Sequence, residues 1–152
     1  MIRPLTLAFA AALALSAVAF AAPSPVKITA DQFTVAEATH KATFEGNVVV
    51  TRAAMTLWAP KVVVDYGEGG PSNIERFSAS GGVRIKTPDQ TATGSRAEYD
   101  PKTQILRIVG NVTITSASGT LSGPELVLDL VRNTSTFSGS GGGRVTGVFT
   151  PQ

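Results

Sequence analysis

The chain has 152 residues, 13 basic and 11 acidic side chains, a formal net charge of +2, one histidine and no cysteine. That balance excludes the basic stripe of a nucleic-acid binder, so no nucleic-acid partner is expected. The missing thiols exclude disulfides and thiolate metal sites.

The first segment reads as an export signal. Arg3 supplies a positive start, Leu5 to Phe20 is apolar and uncharged, and Ala19-Phe20-Ala21 puts small residues where a signal peptidase reads. Residues 1–21 are therefore expected to be a signal peptide cleaved after Ala21, with residues 22–152 as one domain. An uncleaved membrane anchor is the alternative, because the apolar run is near the lower limit for a bilayer span, about 17–20 residues.

Pro23-Ser24-Pro25 follows as an extended leader, and from Val26 onward the pattern has period two. Val26-Lys27-Ile28, Val83-Arg84-Ile85, Leu106-Arg107-Ile108, Val112-Thr113-Ile114 and Leu126-Val127-Leu128 alternate so that one face is apolar. This predicts half-buried antiparallel strands, each about five residues long. Turns are predicted at Ala38-Thr39-His40-Lys41, Tyr66 to Pro71, Thr87-Pro88-Asp89-Gln90, Tyr99 to Thr103 and Ser116 to Gly119. Gly139 to Gly143 is predicted as a flexible link to a last strand, Val145 to Phe149. No helix is predicted after the signal.

Two short words repeat along these strands. Gly46-Asn47-Val48, Gly81-Gly82-Val83, Gly110-Asn111-Val112 and Gly143-Arg144-Val145 each lead into an apolar strand, their valines 35, 29 and 33 residues apart. Between them, Ile28-Thr29-Ala30, Leu57-Trp58-Ala59, Ala92-Thr93-Gly94 and Leu121-Ser122-Gly123 end in alanine or glycine, spaced by 29, 35 and 29. Self-similarity on this scale marks a fold that stacks one small unit. Glycine or alanine at these sites predicts a tight bend or a close backbone approach. The expected fold is all-β: an elongated roll of stacked antiparallel hairpins around an aliphatic interior. Its end strands, Val26-Lys27-Ile28 and Val145-Thr146-Gly147-Val148-Phe149, carry few defences against pairing with another chain.

Polar chemistry is sparse. His40 is a lone turn histidine, and Asp65, Asp100 and Asp129 follow apolar strand ends, which predicts turn formers rather than a catalytic pair. No nucleophile elbow or phosphate loop is present, so no enzyme and no cofactor are expected. Residue by residue, Phe33, Phe44, Trp58, Phe77, Tyr99, Phe137 and Phe149 are expected to be ordinary core. Collectively, an incompletely closed roll offers them as an apolar groove, a natural host for acyl chains.

The ordered words Ile28-Thr29-Ala30-Asp31-Gln32, Ala42-Thr43-Phe44-Glu45-Gly46-Asn47-Val48, Leu57 to Tyr66, Ala97-Glu98-Tyr99-Asp100 and Gly143 to Pro151 resemble the OstA/LptA-like family of periplasmic lipopolysaccharide carriers. Pro60 departs from a frequent aspartate there. The resemblance implies a twisted β-jelly-roll whose interior shields the acyl chains of lipid A, in the periplasm. It also implies a head-to-tail homo-oligomer bridging an inner-membrane extraction complex and an outer-membrane insertion complex. On this reading the inward residues Val26, Ile28, Phe33, Phe44, Val48, Val50, Leu57, Val62, Val64, Phe77, Val83, Ile85, Leu106, Ile108, Val112, Ile114, Leu126 and Leu128 line the groove. Lys27, Arg84 and Arg107 face outward. A membrane-anchored sister component of the same system, or a ligand-free self-assembling β-scaffold, remain the alternative readings.

Overall fold

The computed structural model describes residues 25–139 and 143–151. The expected signal peptide and the centre of the glycine run, 140–142, lie outside the described residues. The fold is all-β, and the described residues form a ten-stranded antiparallel sheet. In chain order the strands are β1 Lys27–Thr29, β2 Gln32–Ala36, β3 Lys41–Arg52, β4 Met55–Tyr66, β5 Ile74–Lys86, β6 Gln90–Asp100, β7 Ile105–Ser116, β8 Gly119–Asp129, β9 Thr134–Ser138 and β10 Thr146–Phe149. One 3-10 turn, Glu37–Thr39, joins β2 to β3 and ends on His40 in the left-handed region.

The expectation of strands about five residues long is corrected. The six central strands run 11 to 13 residues. The repeated words lie inside them, as corners. Pairing between β3 and β4 slips between Glu45 and Val48, where Gly46 and Asn47 (φ 81° and 46°) oppose the single residue Pro60. Gly81-Gly82 make the same slip in β5 and Gly110-Asn111 in β7. Two residues facing one is a β-bulge, which bends the strand and sharpens its twist. Positive φ at both bulge residues explains Gly followed by Gly or Asn. The opposing single residues are Asp31, Pro60, Ser95 and Pro124. Proline has no ladder donor, so it is tolerated where the ladder is already broken. Pro60 therefore sits at a corner, with its ring against Gly81. Asp31 accepts a hydrogen bond from Asn47 Nδ2 at 3.1 Å, and Ser95 Oγ donates to the Gly110 carbonyl at 3.2 Å.

The corners align across neighbouring strands and divide the sheet into two leaves. The first contains β1, residues 48–52, 55–59, 83–86, 90–94, 112–116 and 119–123, and β10. The second contains β2, residues 41–45, 61–66, 74–80, 96–100, 105–109 and 125–129, and β9. The leaves pack face to face, because one core cluster joins Val48, Leu57, Val83, Ile85, Val112 and Ile114 of the first with Val62, Ala79, Leu106, Ile108 and Leu126 of the second. Burying each large aliphatic side chain contributes about 1.5–3 kcal/mol. The small residues read from the second word keep the corner clear. A Cβ on Gly94 would lie 2.4 Å from Ile108 Cγ2.

Other expectations are corrected by position. Asp65 lies within β4 and pairs with Lys41, so it forms no turn. Asp100 and Asp129 do form turns, accepting from the N–H groups of Lys102 and Thr103, and of Val131 and Arg132. Those bonds, from Lys102 first, hold the Asp100 carboxyl below its usual pKa. Trp58, Phe33 and Phe149 are exposed rather than core. Trp58 faces outward beneath Arg84, whose guanidinium lies 5.4 Å from the ring centroid. The β3–β4 hairpin turns through Ala53 and Ala54, a turn with no Gly, Asn, Asp or Pro.

Candidate functional site

The leaves separate on the side away from the bulges, and two adjoining apolar cavities open there. The inner one, about 50 Å³, is lined by Val26, Val50, Arg52, Met55, Leu57, Val62, Phe77, Ala79, Ala97, Tyr99, Leu106 and Leu130. The outer one, about 190 Å³, is lined by Val26, Ile28, Phe33, Val35, Ala42, Phe44, Val64, Tyr66, Pro71, Ile74 and Phe77. Val26 and Phe77 belong to both, so the spaces are neighbours. Phe33 and Phe44 meet across β2 and β3 with ring centroids 4.7 Å apart.

Ten of the residues expected to line a groove border these cavities: Val26, Ile28, Phe33, Phe44, Val50, Leu57, Val62, Val64, Phe77 and Leu106. Leu57, Val62 and Leu106 of these also belong to the core; Val48, Val83, Ile85, Ile108, Val112, Ile114 and Leu126 border neither cavity and are packed in the core, and Leu128 packs partly buried against it. The cavity walls thus come from β1 to β7 and the segment after β8, whereas the row around Val83, Ile85, Ile114 and Leu126 is packed shut. Arg84 and Arg107 face outward, and Arg107 pairs with Glu125 at 3.5 Å. Lys27 is exposed on the edge strand.

One polar lining residue, Arg52, was missed on the sequence, although it continues the inward row of Val48 and Val50; Tyr99, expected within the aromatic set, continues the inward row of Ala97. Arg52 Nη1 donates to Tyr99 Oη at 2.6 Å, and its guanidinium carbon is 5.9 Å from the Tyr99 ring centroid. Arg52 lies in the first leaf and Tyr99 in the second, so this bond crosses the mouth.

The sheet ends on two one-sided edges. β1 and β2 both pair with β3, and β9 and β10 both pair with β8. Among the described residues each edge is one bent strand with an unpaired side. The end residues expected at one edge, Val26, Lys27 and Ile28, lie on and just before β1. At the other, Val145 precedes β10, which holds Thr146, Gly147, Val148 and Phe149. β2 and β9 extend these edges and were not foreseen. Phe33, Val35, Val148 and Phe149 are exposed there. Among the described residues, no group of acidic, histidine or cysteine side chains is placed to hold a metal ion. The ion pairs Lys61–Glu45, Arg96–Glu98 and Arg132–Asp129 are superficial, and such pairs contribute little.

Residues 27–134 match the model of the LptA/(LptD N-terminal domain) LPS transport protein family. The chain belongs to that family. Its description is of a transport protein, not of an enzyme family. An uncharacterized protein of Rhizobium meliloti (strain 1021) is 30% identical to this LptA/LptD-type chain over 115 residues, covering 72% of the chain and 55% of the relative. The chain thus spans little more than half the length of that relative. Among solved structures, LptH of Pseudomonas aeruginosa, described as the LptA homologous periplasmic component of the lipopolysaccharide transport device, superposes with a TM-score of 0.72 at 20% identity. The match covers 84% of this chain and 96% of LptH, so the two share a fold along nearly all of LptH.

Proposed function

We propose that this LptA-type chain is a periplasmic carrier that shelters the acyl chains of lipopolysaccharide between its two leaves. The observation that carries this reading is an apolar space between leaves that open away from a line of bulges. Burying an acyl methylene is worth about 0.8 kcal/mol, so a twelve-carbon chain left in water costs about 10 kcal/mol. A carrier that never exposes the chain removes most of that barrier. A space of about 50 Å³ holds no acyl chain, so loading requires the leaves to part, with the bulges as the hinge line. The residues nearest the opening, from Val26 to Phe77, take the lipid first, and the packed row from Val83 to Leu128 follows as the leaves separate.

Residues 1–21 act as the export signal and 22–152 as the working domain. Copies join head to tail, β9 and β10 of one against β1 and β2 of the next, and the row links an inner-membrane extraction complex to an outer-membrane insertion complex. Delipidated protein should bind an apolar fluorophore that lipopolysaccharide displaces. Val50→Asp places a charge in the cavity and should abolish that binding, while the neighbouring Thr51→Asp should not. Equal binding by both variants would overturn the cavity assignment. No binding by the wild type would favour a closed structural roll.

A further inference from the structure

The cavity mouth carries a cation that the apolar-carrier reading does not use. Arg52 ends the inward row of β3, half-buried, with the aliphatic wall of Val50, Met55 and Leu57 beneath it. Among the described residues no Asp or Glu lines that cavity. Among the described residues the guanidinium has a neutral partner, the Tyr99 hydroxyl, and no carboxylate. A guanidinium offers five donors in a planar fork that suits a phosphate bidentately, and one phenol leaves most of that capacity unused. Withdrawing a cation from water is costly unless an anion compensates it.

We infer that Arg52 is a specificity residue that reads the phosphate of an amphiphile whose acyl chain lies in the cavity. This rests on the carrier reading above. The Arg52–Tyr99 bond spans the two leaves and closes the empty mouth. An incoming phosphate is a stronger partner than a phenol, because its oxygens carry full negative charge and can accept two N–H groups of the fork at once, whereas the neutral phenol oxygen takes one. The anion therefore displaces Tyr99, releases the contact between leaves and is held at the lip while the chain goes inward. Recognition of the headgroup and opening of the mouth become one event.

The test compares two amphiphiles with the same chain, dodecyl phosphate and the neutral dodecyl maltoside, both below their micelle concentrations, by calorimetric titration of the full mature chain. Wild type should bind the phosphate about 10-fold or more tightly, the order of one charge-assisted hydrogen bond. Arg52→Gln should erase the preference, so that the two amphiphiles bind it with equal affinity. Arg52→Lys should keep part of it, and Tyr99→Phe should keep or raise it because the competing acceptor is gone. Urea midpoints of all variants check that they fold. Inorganic phosphate should not displace the probe, since the anion must carry a chain. An equal preference in Arg52→Gln, no preference in the wild type, or displacement by inorganic phosphate alone each overturns the assignment to Arg52. Maltoside binding without a phosphate preference would leave the carrier reading standing, whereas failure to bind either amphiphile overturns both.

Discussion

Gly94 offers a clean test of the corner. Its φ is not in the left-handed region, so an alanine there meets only a steric obstacle. The added Cβ would sit 2.4 Å from Ile108 Cγ2, 3.3 Å from the Val109 carbonyl oxygen and 3.6 Å from Val112 Cγ2. Ile108 is 0% exposed and cannot swing into solvent. Relief requires β6 and β7 to separate at the bulge, and overpacking of this kind costs about 1–3 kcal/mol. For a domain of this size that lowers Tm by roughly 3–6 °C per kcal/mol. Ile108→Ala alone should cost about 2–5 kcal/mol through the cavity it leaves. The double variant should be less destabilised than the sum, by about 0.5–3 kcal/mol, because the alanine methyl occupies part of that cavity. Urea melts of the four proteins supply the cycle. A Gly94→Ala midpoint equal to wild type, or strict additivity, would refute the packing account of the second repeated word.

Three further outcomes follow from the same geometry. Thr150 N–H bonds to the Ser118 carbonyl, so by alternation Val148 N–H faces β8 and Phe149 N–H faces the free side; Phe149→Pro should abolish concentration-dependent oligomers in sedimentation with little loss of stability, and persisting oligomers would exclude this edge. Ala53 holds φ 49° in a turn without glycine, so Ala53→Gly should raise stability by about 0.5–1 kcal/mol in urea melts. The Asp100 carboxyl is held below its usual pKa, so its stabilising effect is full above the ordinary carboxylate range and is lost as pH falls through the lowered value; Asp100→Asn should flatten the acid limb of the stability profile, and an unchanged limb would show that the turn does not titrate.

Much of the fold was legible because it is periodic. Alternation at Val83-Arg84-Ile85 and Leu106-Arg107-Ile108 assigned inside and outside correctly. Gly-Asn and Gly-Gly marked real backbone features, but as bulges inside long strands rather than breaks between short ones. A bulge and a turn both need positive φ, so they share residues, and only pairing on both sides distinguishes them. The Ala53-Ala54 hairpin had no turn chemistry to announce it. The inward placement of Arg52 was overlooked because charge favours solvent, and an exception is expected only where a site needs one. How far the leaves close depends on packing between residues distant in sequence, which no local pattern encodes.

The most direct measurement places a photo-reactive phenylalanine at position 77, which lines both cavities, with position 76 on the outer face as its neighbour. An aromatic probe replaces an aromatic side chain there with little disturbance. Irradiated cells should give lipopolysaccharide adducts at 77 and none at 76. Adducts at both positions alike, or at neither while the protein is present and folded, would contradict a carrier that shelters lipid between its leaves.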